Sequence, residues 1–209
     1  MWKKRVFVIV ILVSVLPVQV WACACCADEG DWYQATEEFK DWEVEELNQV
    51  NFNHRAELFT AIYSPETKGL PRRLQNFYYF DLRPIRVKRD WALLLRGVPF
   101  GGNGVLRLKI PDKVEKFRTD LKDRPPSRGY PTVTLYKEMR FEGAISGEGI
   151  FKTKPGGKNR YKLILQGRGH ICDSRDDYRN WVLIISGEEL QFTLHGVIEQ
   201  PKPAQQNKP

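Results

Sequence analysis

Four cysteines and one histidine are the residues of this 209-residue chain whose types and spacing could do chemistry. Cys23, Cys25 and Cys26 stand together near the N-terminus; Cys172 stands alone, two residues after His170. Thiolates and an imidazole make a soft ligand set suited to zinc or cuprous copper. In an oxidising compartment the same four sulfurs are an even set that permits three disulfide pairings. Adjacent Cys25 and Cys26 rarely bridge each other, so the spacing predicts a bond from Cys172 to Cys25 or Cys26, with Cys23 as the further member of the set. Metal binding by Cys23, Cys25, Cys26, Cys172 and His170 is the alternative.

Which chemistry applies depends on where the chain goes. Trp2-Lys3-Lys4-Arg5, the apolar run Val6 to Val20 broken at Pro17, and the small residues of Ala22-Cys23-Ala24 have the three-part form of a secretory signal peptide over residues 1–22. The expectation is export: periplasmic, cell-surface or secreted. A retained anchor is the rival, because the apolar run is near the lower limit for spanning. Val20-Trp21-Ala22-Cys23 resembles a bacterial lipobox, which implies an acylated Cys23 and a lipid anchor. Beyond the signal peptide or that anchor, no membrane contact is expected. The Cys-x-x-Cys spacing inside Cys23-Ala24-Cys25-Cys26 lacks the preceding strand that thioredoxin-like redox chemistry uses.

No Gly-x-Ser-x-Gly elbow, phosphate-binding loop, His-Glu-x-x-His or calcium loop occurs, so no catalytic residue and no cofactor is predicted. The histidines His54, His170 and His195 are isolated in sequence. A fold that joined His170, His195 and Asp173 or Asp177 would create an acid–base site. Asp173, Asp176 and Asp177 read as turn-capping side chains, with calcium ligation as their alternative.

Charge is divided along the chain. Nine acids and Lys40 alone lie between Asp28 and Glu46, whereas residue 47 onward carries 29 bases and 17 acids. A basic body attracts polyanions or envelope components. No nucleic-acid-binding motif accompanies it.

The elements that must position these residues are mostly strands. Tyr161-Leu163-Leu165, Trp181-Leu183-Ile185 and Leu190-Phe192-Leu194 each alternate with intervening residues at period two. Between the first two lies the long connection that carries His170 and Cys172. Further strands are expected at Leu58–Tyr63, at Phe77–Leu82 limited by Pro84, at Trp91–Leu95, whose apolarity on both faces suits burial between layers, at Leu106–Ile110, and from Val133 through the glycine-rich run to Phe151. Thr36 to Val50 reads as one amphipathic helix with Thr36 as N-cap, and Asp112 to Arg128 as a loop with a helical turn. The expected division is residues 1–22 signal peptide, 23–55 cysteine-rich segment and acidic helix, 56–199 antiparallel β domain and 200–209 disordered tail. The fold class is all-β: an antiparallel sandwich or barrel of about eight to nine strands with one short N-terminal helix.

Gly30-Asp31-Trp32-Tyr33 resembles the Gly-x-Trp opening of a lipocalin, and Asp176-Asp177-Tyr178 before the Trp181 strand resembles that family's second motif. The resemblance touches these two short pieces and implies a barrel that binds a small hydrophobic ligand. The residues themselves point to an exported, disulfide-stabilised β domain with a non-catalytic binding or structural role. Lipocalin-like binding and soft-metal binding are the alternatives.

Overall fold

Eight antiparallel strands close on themselves into a barrel. The computed structural model describes residues 32–59, 67–71, 79–87, 89–98, 101–121, 135–154, 157–170 and 174–200. Residues 1–31, the four cysteines, Thr60–Tyr63, Val133 and residues 201–209 lie outside the described residues, and with them the signal-peptide, disulfide, lipidation and tail expectations. In chain order the elements are β1 (Trp32–Glu38), α1 (Asp41–Asn48), β2 (Asn51–Phe52), β3 (Arg55–Leu58), β4 (Tyr79–Val87), β5 (Asp90–Gly97), β6 (Asn103–Lys109), β7 (Lys113–Thr119), β8 (Leu135–Gly149), β9 (Arg160–Gly169), β10 (Tyr178–Ser186) and β11 (Phe192–Glu199).

The barrel order is β8-β6-β5-β4-β3-β11-β10-β9, closed by β9 against β8. Closure depends on the length of β8. Its C-terminal part pairs with β6, its N-terminal part pairs with β7 on the same side, and β9 lies along its other side. β1 adds to the free side of β7. The glycine-rich run expected to be a strand thus forms one continuous strand that exchanges β7 for β6 as its neighbour.

Inward and outward positions alternate as a half-buried strand requires. Trp181, Leu183 and Ile185 of β10, Tyr161, Leu163 and Leu165 of β9, and Leu106 and Leu108 of β6 are all buried. Aromatic rings fill the space between them. Phe52 meets Trp91 at 5.4 Å and Trp181 at 5.7 Å, Phe39 meets Phe141 at 5.3 Å, and Phe151 stacks on Phe192 at 5.6 Å between centroids. The interior is a packed core.

Four local expectations are corrected. Thr36–Glu38, expected as the start of the helix, belong to the strand Trp32–Glu38, and Thr36 is no N-cap; the cap position is Lys40, whose amide donates to the Glu43 carboxylate at 2.9 Å. The acidic run looked helical because two glutamates suit a first helical turn, but pairing along β7 decides the matter. Lys113–Thr119, expected within a loop with a helical turn, is strand β7, since Val114 and Lys116 face inward beside β8; residues 122–128 of that stretch lie outside the described residues. β4 continues past Pro84, because β3 pairs only with Tyr79–Asp81 and leaves that side of Pro84 without a strand to receive an N–H. β5 is not sandwiched on both faces: Trp91, Leu93 and Leu95 are buried while Ala92 and Leu94 look outward.

Candidate functional site

The connection from β9 to β10 is built around two glycines. Gly167 and Gly169 face inward on β9, where a Cβ at Gly167 would fall 1.8 Å from the Asp177 carbonyl and one at Gly169 would fall 2.1 Å from the Asp177 carboxylate. Only hydrogen at both positions lets the 3-10 turn Arg175–Asp177 lie over the end of the barrel. There the Lys137 ammonium, 1% exposed on β8, donates to Asp177 Oδ2 at 2.6 Å. Ser174 caps the turn, its hydroxyl accepting from the Asp176 amide at 3.3 Å. Turn capping was expected of Asp173, Asp176 and Asp177; Ser174 caps this turn, Asp177 is committed to an ion pair, and Asp173 lies outside the described residues.

Helix α1 covers the same end. Lys116 of β7 donates to Glu43 of the helix at 2.6 Å, and Trp91 Nε1 donates to Asn48 Oδ1 at 3.0 Å. The Arg86 guanidinium donates to the carbonyls of Asn48 and Val50, where the helix leaves acceptors unmet, and lies 5.1 Å from the rings of both Phe52 and Trp91. Burial lowers Arg86 to about 10, which still leaves it charged at neutral pH. Arg175 bonds to Gln49 and so ties the 3-10 turn to the helix.

His170 is exposed, one residue beyond the end of β9. His195 lies on the outer face of β11, edge-on to Phe59 at 6.1 Å. Among the described residues no hydrogen bond joins His170, His195 and Asp177, and no group of three metal-ligating side chains occurs. Lys137, Lys116, Glu43 and Arg86 were not singled out from the sequence. For Lys137 a signal existed: it shares inward parity with Leu135, Met139 and Phe141.

Outside, between β7, β8 and β9, a half-buried polar network runs across the strands. Tyr136 donates to Glu138 at 2.5 Å, Gln166 to Glu138 at 3.1 Å, and Arg140 bridges Glu138 at 2.6 Å and Glu115 at 2.6 Å. Burial alone would raise the Glu138 carboxyl, but these three donors outweigh it and hold Glu138 below the usual carboxylate range. Burial, together with the bond to Glu138, pushes the Tyr136 phenol up. Every ionisable group in the network is engaged by another, an arrangement that rigidifies the sheet.

A hollow of about 850 Å³ lies on the outer face of β3, β10 and β11. Phe59, Val182, Ile184 and Val197 form its apolar surface, with Asn53, Asn180, Gln166, Thr193 and His195 as polar groups around it and the paired charges Arg55 and Glu57, 3.0 Å apart, at its side. Phe59 is 46% exposed and Val197 54%, although both adjoin a core that is otherwise closed. The molecule is, as a class, a closed eight-stranded antiparallel barrel with a plugged end. Comparison with family models, with curated proteins and with solved structures gives no match.

Proposed function

We propose that the protein is an exported, disulfide-stabilised β-barrel domain with a non-catalytic binding role, and that it binds a small apolar molecule on its outer face. The observation that carries this reading is the contrast between the two sides of the same strands. Inward positions are filled by Trp91, Trp181, Tyr161 and Phe141, while the outward hollow at Phe59, Val182, Ile184 and Val197 offers an apolar floor and a few polar groups. That lining and its volume are those of a small-molecule site. On this reading the small hydrophobic ligand that the lipocalin resemblance implies binds outside the barrel.

The test is an apolar fluorescent probe titrated into the wild type and Ile184→Asp. Ile184 points outward, so the variant should keep its unfolding free energy within about 0.5 kcal/mol and lose at least fivefold in probe affinity. Equal affinity in the two proteins would move binding elsewhere. For the covalent part of the reading, Cys172 bonds to Cys25 or Cys26, which supplements the Lys137–Asp177 anchor of the same connection. Non-reducing peptide mapping of protein from an oxidising compartment should recover the Cys172 peptide linked to the N-terminal one; a free thiol there refutes the bond.

A further inference from the structure

The opposite end of the barrel carries bases that nothing in the fold uses. Lys152, Lys154 and Lys158 of the β8–β9 connection and Arg160 at the start of β9 are exposed, as is Lys68, which pairs through its backbone with Gln191. None of these five side chains has a hydrogen-bond or ion-pair partner among the described residues. Two carboxylates accompany them: Glu188, which is exposed, and Glu189, which accepts from the Lys154 amide at 3.1 Å and from Asn159 Nδ2 at 3.0 Å. Five cations against two anions leave a local excess.

The backbone bearing these charges is fixed. Phe151 is wholly buried against Phe80 and Phe192, and Asn159, 2% exposed, accepts from the amides of Glu189 at 3.2 Å and Leu190 at 3.1 Å. Such anchoring holds like charges together before any partner arrives, so less ordering is left for binding to impose. Beside the connection a hollow of about 630 Å³ opens on β5, β6 and β8. Small residues, Ala92, Ala144, Ser146 and Gly157, form part of its lining, Arg107 and Lys109 supply two more bases, and Asp90 is its one acid. Arg107 is itself paired with Glu148 at 3.0 Å.

We infer that this end of the barrel binds an anionic polysaccharide, whose carboxylate or sulfate groups are met by Lys152, Lys154, Lys158 and Arg160 while the chain lies along the small-residue hollow. The lining selects this class of polyanion. No exposed aromatic ring stands in the hollow to stack a nucleobase, since Trp91 is buried. The described part of the connection exposes no large apolar side chain, because Phe151 is buried and Ile150 packs against the core, and the hollow beside it exposes one, Ile85, where a bilayer contact needs a continuous apolar face. A hydrophilic chain with regularly repeated charge remains. The inference shares the binding-domain class of the proposed function but uses a different face, so failure here leaves the Phe59 hollow untouched and failure there leaves this end untouched.

The experiment measures the full exported chain against heparin, polygalacturonate and uncharged dextran over a salt series, with single-stranded DNA and anionic phosphatidylglycerol vesicles as competing probes. Lys154→Gln/Lys158→Gln is compared with Arg83→Gln/Lys113→Gln, which removes the same charge from exposed bases elsewhere. Expected are binding to the anionic polysaccharides and not to dextran, weakening as salt rises, at least a tenfold affinity loss in the first variant and under threefold in the second. Equal losses in the two variants, or no binding at low salt, overturn the inference. So does tighter binding to DNA or vesicles than to either polysaccharide. Matching urea midpoints for both variants show that the loss is not one of folding.

Discussion

At the residue scale, the Lys137–Asp177 pair decides whether the β9–β10 connection stays on the barrel. Removing one partner of a buried ion pair leaves the other uncompensated, so Lys137→Met should cost about 3 kcal/mol, read as a fall in the urea midpoint. If the midpoint does not move, the pair does not hold the connection. Glu138 makes a pH-dependent contribution whose sign follows from its lowered carboxyl. Its bonds are fully present above the ordinary glutamate value of 4.5 and are lost as pH falls through the lower folded value. Glu138→Gln should therefore be less stable than wild type by about 1–2 kcal/mol at pH 7, with the gap closing below pH 4.5. A gap that stays constant to pH 3 contradicts this. Such residues were half legible in the sequence. Strand parity puts Lys137 in the interior, but parity cannot say which carboxylate meets it, because Asp177 arrives from an element distant in the chain; Lys116 stands on β7, which the sequence does not show as a strand, so neither its place nor its partner Glu43 was legible.

At the element scale, period-two patterning located β6, β8, β9, β10 and β11, because each has one face in the core and the other in contact with solvent; β5 was found by its apolar run, with its outer face misjudged as buried. β1 and β7 escaped notice for a physical reason. They extend the sheet beside the barrel, so their inward faces carry Glu37, Val114 and Lys116 and show little apolar alternation. Helix α1 was recognised but begun too early, since Phe39, Val44 and Leu47 belong to the core while Thr36 belongs to β1. Its C-terminal end rests on Arg86, which meets two helix-end carbonyls at once. Arg86→Leu should free those acceptors inside the fold at a cost of about 2 kcal/mol. Hydrogen exchange at the Gln49 and Val50 amides, which donate to Glu46 and Leu47 at 3.0 and 3.1 Å, should quicken before the strands open. Unchanged exchange there would assign the hold on α1 to its other ties, Trp91–Asn48, Lys116–Glu43 and Arg175–Gln49.

At the scale of the whole molecule, the proposal that binding is external stands or falls with the packing inside the closed sheet. A filled barrel has no room for a guest, and a barrel with a removable guest keeps a void lined by apolar side chains when empty. Phe141 tests the difference. It is fully buried on β8, in contact with Phe39 below α1, and sits where β8 is bounded by β9. Phe141→Ala removes a ring from a site whose neighbours are held by strand pairing on one side and by a pinned helix on the other, so collapse should be incomplete. The expected cost is about 3–5 kcal/mol, with a dry cavity left behind. Wild-type protein should then show no benzene or xenon uptake in its interior, by chemical-shift titration or pressurised crystals. Phe141→Ala should take up one equivalent of benzene and regain part of its lost stability, rising with the logarithm of ligand concentration above the dissociation constant. Interior uptake by the wild type would return the ligand to the inside of the barrel and leave the outer hollow at Phe59 and Ile184 as an ordinary patch of surface.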